Sequence, residues 1–222
     1  MKRLAALIGA CAATLVAQPA PKLQNAKVET RAVSGSLDAT VRAIVAAHDD
    51  PAWIGYTEPA VPGDRQMCCF NSINGVASFG CSLEPSQGNI VFPADTNGVV
   101  RLEGPSEFYL FLRVERRKVE KVRTFSPDCP IDGGGLPIYW LTGASAAESV
   151  RFLASLVPGA ERSLQDRAMS AIALHRDPSA VPALIELAVH GNEKNIQQRA
   201  MFWLGHSNDP AAMKFISEIL GR

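Results

Sequence analysis

The chain has 222 residues, 47% of them hydrophobic, with 22 lysines and arginines against 22 aspartates and glutamates. That is enough apolar material for one large domain or two small ones, each with a core. Zero formal net charge at pH 7 lacks the basic excess that phosphate-backbone binding needs, which speaks against nucleic acid as a partner.

Residues 1–17 read as a secretory signal peptide. Lys2 and Arg3 form a basic n-region, and Leu4 to Val16 form an apolar run too short for a transmembrane helix. Cleavage is expected after Ala17, because Pro21 disfavours a cut after Ala20. Ile8-Gly9-Ala10-Cys11 offers a lipobox as the alternative, with a lipid anchor at Cys11. Either cut removes Lys2 and Arg3, leaving 22 − 2 = 20 basic against 22 acidic side chains. The expected location is periplasmic or secreted. Residues 18–34 are polar and aperiodic and read as a tether.

Ser36-Leu37-Asp38 predicts a helix start, with Leu37, Val41, Ile44 and Val45 on one face and Asp49-Asp50-Pro51 as its stop. "AWIGYTEP", residues 52–59, reads as a strand. Asn74-Gly75 then signals a two-residue type I′ hairpin, which sets Ile73 opposite Val76. Counting outward, Phe70 faces Phe79 and Cys68 faces Cys81. Both are non-hydrogen-bonded pairs with Cα atoms roughly 4.5 Å apart, within disulfide range.

Cys69 points to the opposite face of that strand, which leaves Cys129 as its partner. The expected bridges are thus Cys68–Cys81 and Cys69–Cys129, worth about 3 and about 4 kcal/mol by loop length. A longer hairpin loop exchanges the roles of Cys68 and Cys69, and a vicinal Cys68–Cys69 bond is the third connectivity. A metal or redox site is the rival reading. It lacks a CxxC, and none of His48, His175, His190 and His206 stands at ligand spacing beside a cysteine.

"NIVF", "GVVRLEG", "EFYLFLRVE" and "KVEKVRTF" follow as short strands separated by turn signals, which predicts an antiparallel meander. Phe108, Leu110, Leu112 and Val114 share one face of the third, and Tyr109 and Phe111 share the other. A strand covered on both sides is implied. Ile138 to Leu141 give one more strand. Residues 35–142 therefore read as a disulfide-stapled β-rich domain with one leading helix.

From Gly143 the period becomes helical. Ser145 and Glu148 stand at capping-box spacing ahead of Val150, Leu153 and Leu156. "LQDRAMSAIALHRDPSAVPALIELA" (164–188) then aligns without gaps to "IQQRAMFWLGHSNDPAAMKFISEIL" (196–220), offset by 32 residues. Each unit reads as helix, Asp-Pro turn, helix, with the aspartate as N-cap and the proline in the first turn.

This repeat resembles the HEAT repeat, in the short form of phycobilisome-lyase-type HEAT-like proteins. The matching motif is Arg-Ala-Met followed by Asp-Pro and an apolar second helix. "WIGY" (53–56), "QMCC" (66–69), "FSPDC" (125–129) and "GGLP" (134–137) are similar to stretches in secreted bacterial HEAT-repeat proteins of unassigned role. The resemblance implies an α-solenoid over residues 143–222 that binds proteins on its concave side. Two repeats are few for such a stack, so the helix at 145–157 and the β domain are expected to close one end. The expected fold class is α+β, an antiparallel β-rich domain followed by a short α-solenoid.

Candidate chemistry is sparse. Gly133-Gly134-Gly135 lacks the lysine and helix of a phosphate loop, and Asp128 and Asp132 lack the alternation of a calcium loop. Ser145 sits in an incomplete nucleophile elbow. Arg113, Arg116, Arg117, Lys118, Lys121 and Arg123 cluster on one hairpin and offer an anion-binding surface, with Glu115 and Glu120 interspersed. Phe202 and Trp203 lie 100° apart on one helix, which places one near the surface; Trp203 is the recognition candidate. No catalytic residue, metal ligand or cofactor is assigned. The expected function is non-catalytic protein binding or scaffolding in the bacterial cell envelope, with a thiol-redox or other enzyme in the β domain as the alternative.

Overall fold

The computed structural model describes residues 21–63, 72–73, 76–77, 82–84, 106–127 and 131–221. The expected signal segment, Cys68, Cys69, Cys81, Cys129 and the strands expected at 89–92 and 98–104 lie outside the described residues. Within them the fold is mixed: a five-stranded sheet carries helices on one face and a thin cover of extended chain on the other.

Lys27 and its neighbours, read from sequence as tether, form an edge strand. β1 (Leu23–Gln24) and β2 (Lys27–Ala32) are separated by Asn25, whose φ is +48°. α1 (Leu37–Ala47) begins where expected: the Ser36 hydroxyl accepts the N–H of Ala39, and Leu37, Val41 and Ile44 are buried. β3 (Ala52–Pro59) has both faces covered and sits at the sheet centre. β4 (Ser72–Ile73) and β5 (Val76–Ala77) pair with Ile73 opposite Val76, the register a two-residue Asn74-Gly75 loop demands.

β6 (Glu107–Glu115) pairs antiparallel with β3, and β7 (Lys118–Phe125) pairs antiparallel with β6, giving the order β3-β6-β7. The turn between them places Arg116 and Arg117 both at positive φ, +51° and +57°. Such backbone costs an L-residue about 1 kcal/mol or more. The Arg116 N–H offsets this by donating to the Asp49 carbonyl, and the Arg117 N–H by donating to that of His48, at 2.9 and 3.0 Å.

β8 (Ile131–Asp132) pairs parallel with β1, and β9 (Pro137–Thr142) lies parallel between β2 and β3. The sheet order is β2-β9-β3-β6-β7, so the expected all-antiparallel arrangement is corrected to a mixed one. The cause is α1. A helix crossover returns the chain in its original direction, making β2 and β3 parallel and leaving a slot that β9 fills.

α2 (Ala146–Leu156) starts at Ser145, but the Ser145 side chain makes no cap hydrogen bond and the expected capping box does not form. α3 (Arg162–Leu174), α4 (Ala180–His190), α5 (Lys194–His206) and α6 (Pro210–Leu220) have 13, 11, 13 and 11 residues, matching the 32-residue repeat helix for helix. Asp209 caps α6 through the Ala211 N–H, with Pro210 in the first turn as expected. Asp177 instead closes a local turn onto Ser179, and α4 begins two residues later than its counterpart.

One continuous core runs from the sheet into the helices, from Ile54, Leu110 and Leu112 through Val150 and Leu153 to Ala168, Leu184 and Leu204. The opposite sheet face buries Trp53, Phe111, Phe125 and Trp140 with Leu83 and Ile131. β3 also runs directly against the end of α3: the Val61 N–H donates to the Leu174 carbonyl and the Arg176 N–H to that of Pro59.

Candidate functional site

The repeat permits an internal comparison of burial. The α5–α6 pair covers α3–α4, so Leu184 and Leu187 of α4 are 1% and 9% exposed. Their equivalents 32 residues on are Ile216, only partly buried, and Ile219, 41% exposed. Met213 at 51% and Leu220 at 80% extend this apolar strip along α6. The outermost helix pair thus repeats an apolar pattern whose covering layer is present for the first unit and missing, among the described residues, for the second.

The outer face of α5 is aromatic. Phe202 is exposed, stacks on His206 with ring centroids 4.1 Å apart, and lies under the Arg199 guanidinium at 5.2 Å. Trp203, the residue singled out from sequence, is half-buried: its Nε1–H donates to Asp166 at 3.2 Å, and Arg199 pairs with the same carboxylate at 2.7 Å. One of the two aromatics does lie at the surface, and it is Phe202.

No protein-family model, no curated protein and no solved structure matches this chain.

A second cluster lies inside the molecule, where β3 meets α2 and α3. His175 at the end of α3 is buried, and its Nδ1 sits 2.7 Å from the Ala171 carbonyl, an acceptor only. Nδ1 must carry the proton, so Nε2 accepts from the Ser149 hydroxyl at 2.9 Å, and Ser149 in turn accepts from the Tyr56 hydroxyl at 3.1 Å. Burial pushes the His175 imidazole down to about 4, which keeps it neutral, and holds the Tyr56 phenol above its ordinary value.

Beside this relay lies Glu58, fully buried, with neither carboxyl oxygen hydrogen-bonded among the described residues. Burial pushes its carboxyl up to about 8; the nearby Ser149 hydroxyl opposes the shift and the Asp177 charge adds to it. Glu58 is therefore a neutral acid at pH 7. Ser149, His175 and Tyr56 are all buried, so this relay ties three elements together inside the core rather than presenting a serine at the surface. In sequence His175 shows no ligand spacing beside a cysteine and belongs to no evident serine–histidine–carboxylate set. Nothing in the chain between Ser149 and His175, 26 positions apart, signals that they meet.

The basic hairpin divides into two sets. Arg113 is mostly covered and bonds Glu84 at 2.7 Å as well as Glu115. Arg123 donates to the carbonyls of Ser82 and Leu83. With Trp53 Nε1–H, which also donates to Glu84 at 3.0 Å, these arginines hold residues 82–84 against the sheet. Arg116, Arg117, Lys118 and Lys121 are exposed, Arg117 pairing with Asp49 at 2.9 Å. Trp203 lies on α5 rather than on this hairpin, bonded to Asp166 of α3. Gly133 and Gly134 meet Ala26 and Glu84 so closely that a Cβ would stand 2.6 and 2.7 Å from them, which accounts for the glycines as a packed turn.

The shallow cleft between α1 and α2 is lined by Asp38, Glu148 and Arg151, yet Asp38 is engaged by Arg42 and Glu148 by the backbone of Leu37. Among the described residues there is no group of three His, Cys, Asp or Glu placed to hold a metal, and no helix long and apolar enough to cross a membrane.

Proposed function

We propose that this chain is a non-catalytic protein-binding module of the bacterial cell envelope, and that the open side of α5–α6 receives the partner. The observation that carries this reading is the burial contrast between Leu187 and Ile219, equivalent positions of which only the first is covered. Four helices of matched lengths in the Arg-Ala-Met…Asp-Pro pattern support a HEAT-like reading of residues 162–220. In such a stack each helix pair buries its apolar strip against the next. The fitting partner is an amphipathic helix, or a helix pair, laid along Met213, Ile216 and Leu220 as the next repeat would be, with Phe202 as an aromatic anchor at its margin. The basic n-region and apolar run at the start of the chain support export, and the four cysteines of the exported chain support an oxidising compartment.

The test is a crosslinking capture from envelope fractions by the wild-type chain and by Met213→Asp/Leu220→Asp. Both replaced residues are exposed, at 51% and 80%, so the variant is expected to retain the fold. Specific capture by the wild type and its loss in the variant is the expected result. Equal capture by both would remove the α5–α6 surface from consideration, and no capture by either would remove the binding function.

A further inference from the structure

β2 is the edge of the five-stranded sheet and is unusually open for one. It is six residues long, contains no proline or bulge, and five of its residues are exposed, Val28 at 44%. Among the described residues no strand pairs with its outer side. Natural proteins seldom leave such an edge uncovered.

The hydrogen-bond phase of β2 is fixed by Val33, whose N–H donates to the Thr142 carbonyl at 2.9 Å. Along a strand, the N–H and C=O of one residue point to the same side, and the side alternates. Arg31 and Glu29 therefore bond toward β9. Val28, Thr30 and Ala32 direct their N–H and C=O groups to the open edge.

The geometry points to a symmetric dimer in which β2 pairs antiparallel with β2 of a second copy of this chain. Outward-facing residues must meet outward-facing residues, which restricts the two-fold axis to a few registers. Centred on Glu29, the axis sets Glu29 against Glu29 of the second copy and Lys27 against Arg31. Centred on Arg31, it sets arginine against arginine. Registers further out leave at most three residues of β2 paired.

Centred on Thr30, every pair is favourable. Thr30 meets Thr30 and Val28 meets Ala32 as hydrogen-bonded pairs. Glu29 meets Arg31 twice, at the non-hydrogen-bonded positions where cross-strand side chains come closest. Glu29 and Arg31 already share one face, pair within the strand at 2.7 Å, and keep half-exposed side chains free to reach across the axis. The Arg31 guanidinium also lies over the Tyr139 ring, 4.2 Å from its centroid, which helps hold it in place for this second carboxylate. The dimer joins two five-stranded sheets into one. It uses a different part of the surface from α5–α6 and does not depend on the partner proposed there.

Sedimentation equilibrium of the mature, unreduced chain over a concentration series tests it. The wild type is expected to dimerise. Glu29→Arg and Arg31→Glu should each weaken the dimer by about tenfold or more, since the axis uses every substitution twice, and the double reversal Glu29→Arg/Arg31→Glu should restore it. Thr30→Pro should abolish the dimer with unchanged far-ultraviolet circular dichroism, because it removes an outward N–H and no bond to β9. A monomer at every concentration, a dimer that survives Thr30→Pro, or a double reversal that fails to restore association would overturn the proposal. If Thr30→Pro does not fold, the charge-reversal set decides alone. A dimer lost only in Met213→Asp would place self-association on α6 and likewise overturn it.

Discussion

The carboxylate of Glu148 accepts the backbone N–H of Leu37 at 3.0 Å, so a side chain in the first turn of α2 caps the start of α1. The first N–H groups of a helix have no partner within it, and the positive end of the helix dipole favours a carboxylate there. Leu37 is fully buried, so its N–H has no water to fall back on. Glu148→Ala is expected to cost about 1–2 kcal/mol. Ser145→Ala, which removes a side chain with no cap hydrogen bond, should stay within about 0.5 kcal/mol. Urea unfolding midpoints at constant slope distinguish the two, and equal losses would show that Glu148 caps its own helix.

Removing the Ser149 hydroxyl strands two buried partners at once. Ser149→Ala leaves His175 Nε2 without a donor and the Tyr56 hydroxyl without an acceptor. A loss of about 1–3 kcal/mol is expected, read from thermal or urea unfolding. Ser155→Ala, on the exposed side of the same helix, is the control and should leave the midpoint nearly unchanged.

Stability should fall as pH rises above neutral, through Glu58. Its carboxyl titrates at about 8 when folded against 4.5 as a free side chain, so between those values the native state holds a proton the unfolded chain has lost. The slope is then negative, about 1.4 kcal/mol per pH unit. His175 acts oppositely: lowered to about 4 from 6.5, it contributes stability that is lost as pH falls through that range. The two effects cancel between pH 4.5 and 6.5, and Glu58 alone governs from 6.5 to 8. A plateau followed by a decline of about 2 kcal/mol is expected, with Glu58→Gln abolishing the decline. Asp177 titrates below this window and Tyr56 above it. A flat wild-type profile from pH 6.5 to 8 would refute the assignment.

Gly55 sits where β3 passes beneath two rings. A Cβ there would stand 2.7 Å from Phe111 Cε1 and 2.8 Å from Trp140 Cζ3. Those rings belong to the strands on either side, in register with Gly55 itself. Gly55→Ala should therefore destabilise by about 1–3 kcal/mol despite the higher strand propensity of alanine. A neutral or stabilising result in chemical denaturation would mean that the rings shift freely.

Elements set by local chemistry could be read from the chain. Ser36 and the Leu37, Val41, Ile44 stripe locate α1, the alternation from Phe108 to Val114 announces a strand covered on both sides, and the 32-residue repeat fixes four helices. What escaped reading depends on contacts distant in sequence. β2 carries no apolar alternation because it is an exposed edge held by backbone bonds to β9, 110 residues away. The direction of β9 follows from a slot left by the α1 crossover, which strand composition does not encode. Ser149, His175 and Glu58 are each unremarkable alone and form a cluster only because β3 ends against α3. Phe202 was half-legible: helical angles separate it from Trp203, and only packing shows which of the two faces solvent.

The bonds from Pro59 and Val61 to Arg176 and Leu174 bear on how this chain can be taken apart. A cut after Thr142, where strands give way to helices, would leave the sheet fragment with Leu110, Leu112 and Val114 bare and the helical fragment with Val150, Leu153 and Ala168 bare. Neither piece would own a closed interior. The helical pairs are therefore not a portable cassette attached to a scaffold. They are half of one, and a fusion or truncation meant to borrow their surface must carry the sheet with it.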